Sequence, residues 1–251
     1  MAQILAATKQ EVTQTEEKKL ASSNTSLALD SRTEDVLAYL PVSSTVEYGK
    51  GKMIYGPDNF SNRIYLVVAG KVGISQVALD GSEVLLEIVR PDELFGESAF
   101  LDIPRRSERA IAVEKAKLMA WAISDMEDLV TKRPRLALAL LQILAQRNAV
   151  FTRRIESFAI DSIEQRLARS LLHFSERLGS REDDGSVRIM PLTHKMLSEY
   201  VGTTREVITH YMIRFRKQGY VSYSRRGIHL YCDTLRTVVY RAESASVETS
   251  N

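Results

Sequence analysis

The pattern of apolar and polar residues divides the chain into segments of different character. Between about residues 35 and 123, apolar residues come in short runs, several of which alternate with polar residues as in half-buried strands. Turn residues separate the runs, among them Asp80–Gly81, a pair that tolerates the backbone angles of a tight hairpin. This pattern predicts a β-barrel or sandwich. Its predicted strands are Ile64–Val68, Val72–Gln76, Val84–Val89, Ala110–Val113 and Leu118–Trp121.

A helical period begins at Pro134. Proline suits the first turn of a helix, and neither glycine nor proline follows until Gly179, so the helix is predicted to be long. One stripe on it has the heptad spacing of a helix that pairs with another helix, and we call it the seam. The seam predicts a homodimer; burial of a single helix against its own domain is the alternative. Its residues are Ala137, Leu141, Leu144, Asn148, Phe151, Ile155 and Phe158, and a second stripe of Leu136, Leu140, Ile143 and Val150 is predicted to pack on the strands.

The last third of the chain has the element order of a winged helix-turn-helix. A helix is predicted for Ser162–Leu178, followed by a polar hairpin and by two short helices separated by Gly202. Thr193 is placed to cap the first short helix, and Thr203 or Thr204 the second. Two predicted strands, Tyr220–Ser224 and Ile228–Tyr231, follow and form the wing.

The second short helix carries the residue types that read DNA bases. Arginine donates two hydrogen bonds to guanine, glutamate accepts one from the cytosine amino group, and a recognition helix enters the major groove by its N-terminal end. A charged helix facing solvent is the alternative. The basic residues that follow, with those in the wing, are expected to contact phosphates. The predicted DNA-contacting set is Thr193, Thr203, Thr204, Arg205, Glu206, Thr209, His210, Arg214, Lys217, Arg225 and Arg226.

Composition excludes several other classes. The 251 residues suffice for two domains, and the net charge of +2 means that a case for DNA rests on local charge. The single cysteine excludes an intrachain disulfide and an all-cysteine cluster, and the four histidines lack metal-ligand spacing. Neither a membrane span nor a secretory signal is predicted, so we expect a cytoplasmic protein. No nucleophile–base pair or Walker loop indicates an enzyme, and no cofactor is expected.

The segment Phe95–Ser107, FGESAFLDIPRRS, combines groups that suit a phosphate ester of a sugar. Gly96 allows close approach of the backbone to an anion, Glu97 offers an acceptor for a sugar hydroxyl, and Arg106 offers a partner for a phosphate. A purely structural loop explains the same residues.

Residues from about 40 to 232 resemble the CRP/FNR family of bacterial transcription regulators. FGESAFLDIPRRS resembles the phosphate-binding cassette of the family, Pro134–Phe158 its dimerisation helix, and LSEYVGTTREVITHYMIRFRKQGYV its helix-turn-helix. The resemblance implies an α+β fold with a cyclic-nucleotide-binding jelly roll. The expected organisation is a flexible extension (1–34), an effector domain (35–133), a dimerisation helix (134–160), a winged helix-turn-helix (161–240) and a flexible tail (241–251).

The resemblance also implies roles for single residues. Gly96 and Glu97 match the ribose-contacting pair and Arg106 and Ser107 the phosphate-binding pair, while Thr152 matches a hydroxyl that reaches the purine. Ser98 and Phe151 complete the predicted effector site, although Phe151 replaces a smaller polar residue. Glu108 replaces a usual alanine, and a carboxylate there repels a phosphate if it points inward.

The expected function is allosteric control of DNA binding by a small effector. Cyclic AMP is the first candidate and cyclic GMP the second; another effector, or none, is the alternative within the family. A nucleotide-binding module without DNA binding is the rival outside it. A palindromic site is implied, with one position read differently because His210 replaces an arginine of the family. Contact with RNA polymerase is expected, and the regulator is an activator or, as the alternative, a repressor.

Overall fold

The computed structural model describes residues 34–101 and 103–247, with side chains described as far as residue 240. The predicted N-terminal extension, 1–34, lies outside the described residues except for Glu34. The predicted tail from residue 241 lies partly inside them.

The N-terminal half is built from two four-stranded antiparallel sheets, of order β1-β8-β3-β6 and β2-β7-β4-β5. Buried residues of both sheets share one apolar cluster, so the sheets pack face to face as an open jelly roll rather than a closed barrel. All five predicted strands are present; three shorter ones escaped prediction. The strands are β1 Thr45–Tyr48, β2 Met53–Tyr55, β3 Arg63–Ala69, β4 Val72–Val77, β5 Glu83–Val89, β6 Leu94–Phe95, β7 Glu108–Ala112 and β8 Ala116–Ala122.

Two helices follow the sheets, α1 (Ile123–Lys132) and α2 (Pro134–Ile160). Helix α1 was not predicted, since it follows β8 without any turn residue between them. The predicted long helix α2 is confirmed from Pro134. Leu136 and Ala139 in its first turns are fully buried in a cluster with Trp121 and Met126, which fixes the start of the helix to the sheets.

The C-terminal third is a helical unit with a small sheet of order β11-β12-β10-β9. A capping box between Ser162 and Gln165 opens its first helix. Its last helix continues to Val247, seven residues into the segment that the sequence predicts to be a flexible tail. The elements are α3 Ile163–Leu178, β9 Ser180–Arg181, β10 Val187–Ile189, α4 His194–Val201, α5 Arg205–Lys217, β11 Val221–Ser224, β12 Gly227–Leu230 and α6 Cys232–Val247.

The helical unit docks on strand β5 of the jelly roll. Leu85 and Ile88 of β5 belong to the same buried cluster as the apolar residues of α4. Arg177 of α3 reaches two carboxylates of the jelly roll, Glu87 and Glu93, each at 2.6 Å. The two halves are therefore joined by an apolar contact and by ion pairs.

Candidate DNA-reading surface and effector cassette

The two helices of the predicted helix-turn-helix are confirmed, and their caps explain the tight turn. The Thr193 side chain accepts a hydrogen bond from the Met196 amide, and Thr204 caps α5 in the same way. Between the helices, Gly202 has a φ of 72°, a left-handed conformation that ends α4 and favours glycine. These local signals set the angle at which α5 leaves α4.

Helix α5 is anchored by one side and exposed on the other. Ile208, Met212 and Phe215 are fully buried, whereas Arg205, Glu206 and His210 are exposed near the N-terminal end. Hydrogen bonds with its own backbone amide and with Thr204 lower the pKa of Glu206, so this carboxylate is ionised at neutral pH. The exposed side therefore presents a guanidinium, a carboxylate and an imidazole together.

Thr209 and Arg214, also members of the predicted DNA-contacting set, contact other helices of the protein. The Thr209 hydroxyl donates to the Arg205 carbonyl at 2.8 Å and lies 2.8 Å from Nδ1 of His194, so it ties the two helices together. Arg214 donates to Glu164 of helix α3 at 3.2 Å. The sequence predicted that Thr209 and Arg214 contact DNA. To do so, each side chain has to break its hydrogen bonds within the protein or share them with the DNA.

The wing is a hairpin of β11 and β12. Ser224 pairs with Gly227, so Arg225 and Arg226 form its two-residue turn, and both are exposed. Arginines at the tip of a wing have the charge and reach to contact phosphates beside the groove that a recognition helix occupies.

The predicted cassette brings Gly96, Ser98 and Arg106 together, while Ser107 lies exposed at the surface. Gly96 has a φ of 86°, a left-handed conformation that favours glycine, and a Cβ there would make a tight contact of 3.2 Å with Nη1 of Arg106. The Arg106 side chain is 1% exposed and lies over the Tyr55 ring, 3.9 Å from its centroid. Its Nη2 donates to the Arg63 carbonyl.

Glu108, which replaces the usual alanine of the family, points into the cassette, the orientation in which its carboxylate repels a phosphate. Its Oε1 accepts from Nη1 of Arg106 at 3.3 Å, from the Ser98 hydroxyl at 2.6 Å and from the Tyr55 hydroxyl at 3.2 Å. Burial and the Glu108 carboxylate raise the pKa of Tyr55, which therefore remains a neutral donor. The positive charge of Arg106 is thus neutralised by the protein itself.

Glu97 pairs with Arg147 of helix α2 at 2.6 Å. The same guanidinium lies 3.2 Å from Glu87 and donates to the Leu94 carbonyl. Interaction with Glu97 and Glu87 raises the pKa of Arg147 despite the opposing effect of burial, so the side chain stays charged. Sequence reasoning missed this arginine, although it interrupts the apolar stripe that packs on the strands.

The cavity that Glu97 lines is small, and none of Ser98, Arg106 and Glu108 lines it. It lies between the sheet and helix α2 and has a volume of about 20 Å³, which is room for about one water molecule. A cavity of about 440 Å³ lies elsewhere, between α2 and the helical unit, and contains none of the cassette residues. Thr152 is exposed and donates to the Asn148 carbonyl, and Phe151 is half-buried; neither lines the cavity beside Glu97.

The seam residues lie on the outer side of α2. Leu141 and Ile155 are 60% and 68% exposed, Leu144 and Phe158 are also exposed, and Ala137 is half-buried. An exposed apolar stripe of this length is unusual on a protein that stays monomeric. Among the described residues, no helix is long and apolar enough to cross a membrane, and no cluster of residues is suited to a metal ion.

Comparisons with known proteins agree with this division of the chain. Residues 45–133 match the family model for a cyclic nucleotide-binding domain, and residues 165–236 match the model for a Crp-like helix-turn-helix domain. The chain is 31% identical over 183 residues to the transcriptional regulator SdrP of Thermus thermophilus, covering 72% of this chain and 86% of that protein. It is 29% identical over 174 residues to the cyclic AMP receptor protein of the same species, covering 69% and 77%.

A solved structure matches over nearly its full length. The crystal structure of TTHA1359, a transcriptional regulator of the CRP/FNR family from Thermus thermophilus, aligns with a TM-score of 0.61 at 30% identity, covering 78% of this chain and 98% of that one. Fold and sites define a DNA-binding transcription regulator with a cyclic-nucleotide-binding domain. The chain belongs to the CRP/FNR family.

Proposed function

We propose that the protein is a cytoplasmic, homodimeric regulator that binds a palindromic DNA site through helix α5 and the wing. The observation that carries this proposal is the exposed set at the N-terminal end of α5, where Arg205 and the ionised Glu206 stand free of the domain core. Guanine and cytosine edges in the major groove offer the complementary acceptors and donor. Contact with RNA polymerase and activation of transcription are part of the same proposal.

Selection of DNA from a random library tests this readout. The wild type is expected to enrich a two-fold symmetric sequence whose half-sites are about one helical turn apart. Arg205→Ala is expected to weaken binding and to relax one position of each half-site, because a bidentate contact discriminates by about 1–3 kcal/mol. Lys217→Gln, the matched control at the other end of α5, is expected to weaken binding equally for all sequences. Equal effects of both variants on sequence preference would contradict the assignment.

The exposed seam supports dimerisation through helix α2. Ile155→Glu places a charge on the most exposed apolar residue of the seam and is expected to shift the mass in solution from twice the 28.3 kDa of one chain towards one chain. Ala145→Glu is the control, since Ala145 is exposed on the same helix but outside the seam. Sedimentation velocity measures both. A wild type that sediments as a monomer, or an equal effect of the two variants, would argue against the seam.

The resemblance and the matched nucleotide-binding model make cyclic AMP the first effector to test, with cyclic GMP as the second. A specific observation favours the alternative, a regulator of the same fold that needs no nucleotide: Arg106 and Glu97 already hold Glu108 and Arg147. We place this alternative first. Calorimetric titration with both nucleotides distinguishes the two, because micromolar binding that strengthens DNA affinity would establish nucleotide control.

A further inference from the structure

We propose that Glu108 and Arg147 together act as a built-in ligand of the cassette. Glu108 takes the place of a phosphate on Arg106, and Arg147 takes the place of a sugar on Glu97. The regulator thereby holds its cassette closed without a nucleotide. This inference rests on the proposed function, since it concerns what controls DNA binding.

The Glu108 carboxylate has the donor set that a bound phosphate needs. Three donors converge on its Oε1: the guanidinium of Arg106, the hydroxyl of Ser98 and the hydroxyl of Tyr55. The Glu108 side chain is only 14% exposed, so this oxygen faces the interior rather than solvent. Ionised acceptors with several donors are the strong case among protein hydrogen bonds.

Both terminal nitrogens of Arg106 already have acceptors within the protein. Its Nη1 donates to Glu108, to the Ser98 hydroxyl and to the Gly96 carbonyl, and its Nη2 donates to the Arg63 carbonyl. Its buried Nε has no partner. A phosphate that binds Nη1 would have to displace these acceptors and would then lie beside the Glu108 carboxylate, where two negative charges repel each other.

Arg147 closes the other end of the cassette. Its side chain is 12% exposed and pairs with Glu97 at 2.6 Å, so the acceptor that the family resemblance assigns to the ribose is already engaged. The adjoining cavity of about 20 Å³ is smaller than a sugar, so a sugar that contacts Glu97 from that side has to displace Arg147. Nucleotide binding therefore requires both Glu108 and Arg147 to move.

The same residues link the cassette to the DNA-binding unit. Arg147 belongs to helix α2, and it shares Glu87 with Arg177 of helix α3. Ion pairs thus run from Glu97 of the cassette through α2 and strand β5 to the unit that carries the recognition helix. A bound ligand that contacts both the jelly roll and α2 would connect these two elements. In this protein the ion pairs of Glu97, Arg147 and Glu87 connect them without a ligand.

Calorimetry with cyclic AMP tests the proposal on the full-length dimer. The wild type is expected to show no binding up to millimolar nucleotide. Glu108→Ala combined with Arg147→Met removes both internal groups and is expected to bind cyclic AMP at least tenfold more tightly than the wild type. Glu108→Gln combined with Arg147→Met keeps an acceptor for Arg106, Ser98 and Tyr55 but removes the charge that repels a phosphate. It is also expected to bind more tightly than the wild type, and it covers the case in which the alanine variant fails to fold.

The control is Glu114→Gln, which removes a carboxylate paired with Lys71 at the surface and is expected to titrate as the wild type does. Micromolar binding by the wild type would overturn the proposal, as would a folded double variant that binds no more tightly. DNA binding is measured in parallel without nucleotide. If the wild type binds no DNA at all, the proposed function is refuted instead. Failure of the closed cassette and failure of DNA binding are therefore distinguishable.

Discussion

Replacement of Glu87 by glutamine removes the charge that joins the two halves of the protein. The Glu87 carboxylate lies 3.2 Å from Nε of Arg147 and 2.6 Å from Nη1 of Arg177. A hydrogen bond to a charged group contributes about 1.5–3 kcal/mol, and a neutral acceptor retains roughly half of that. Each arginine keeps a second carboxylate, Glu97 or Glu93. We therefore expect Glu87→Gln to lower the free energy of unfolding by about 2 kcal/mol.

Urea unfolding followed by two probes measures this change. Trp121 is the single tryptophan and is buried between the jelly roll and helices α1 and α2, so its fluorescence reports the N-terminal half, while circular dichroism reports mainly the helices. Both midpoints are expected to fall in Glu87→Gln. The control, Glu114→Gln, breaks the surface ion pair of Glu114 and Lys71 and is expected to lower the free energy of unfolding by about 0–1 kcal/mol. Unchanged midpoints in Glu87→Gln, or an equal fall in the control, would refute the reasoning.

Three further predictions concern single features. Gly202→Ala is expected to lower the free energy of unfolding more than Gly185→Ala does. Both positions have a positive φ, which alone costs about 1–2 kcal/mol for an alanine, but only the Cβ at Gly202 would meet a neighbour, the Phe158 ring at 2.8 Å. Urea unfolding midpoints of the two variants measure the difference. Burial and Arg177 lower the pKa of His173 to about 4, below the 6.5 of the unfolded chain. Stability from this neutral imidazole is complete above pH 6.5 and falls towards pH 4, by about 2 kcal/mol at pH 5, and His173→Gln should lack this loss in urea unfolding at both pH values. Arg225→Gln with Arg226→Gln should reduce the salt dependence of DNA affinity by about 0.9 in log–log slope for each phosphate that is no longer neutralised, with sequence preference unchanged.

Each of these three has an opposite outcome that would count against it. Equal costs for the two glycine variants would mean that no contact limits the turn. A variant at position 173 with the pH dependence of the wild type would mean that the histidine is not held neutral. An unchanged salt slope would place the wing away from the phosphates.

The parts of the fold that sequence predicted are those with local causes. Helix α2 followed from Pro134 and a long stretch without breakers, and the helix-turn-helix followed from threonine caps on either side of Gly202. The longer strands followed from alternation of apolar and polar residues. Helix α1 and strands β1, β2 and β6 were missed because they are short or begin without a turn residue.

The parts that sequence did not predict depend on contacts distant along the chain. Glu108 stood out only as a departure from a family pattern, and its partner Tyr55 is 53 residues away. Arg147 meets Glu97 and Glu87 only because α2 lies across the sheet edge. Arg214 was assigned to DNA because of its charge, although a carboxylate 50 residues earlier accepts from it. Charge along a helix indicates available chemistry, but packing decides which groups remain free.

The most direct test of DNA binding without a nucleotide is the affinity of the wild-type dimer for its selected DNA site, without nucleotide and with millimolar cyclic AMP. We predict specific binding at nanomolar protein concentration in both cases, with the same dissociation constant, since specific sites are bound at about 10⁻⁸–10⁻¹¹ M. Specific binding that emerges only with cyclic AMP would contradict the claim that Glu108 and Arg147 close the cassette. Absence of specific binding under both conditions would contradict the assignment of α5 as the reader of DNA sequence.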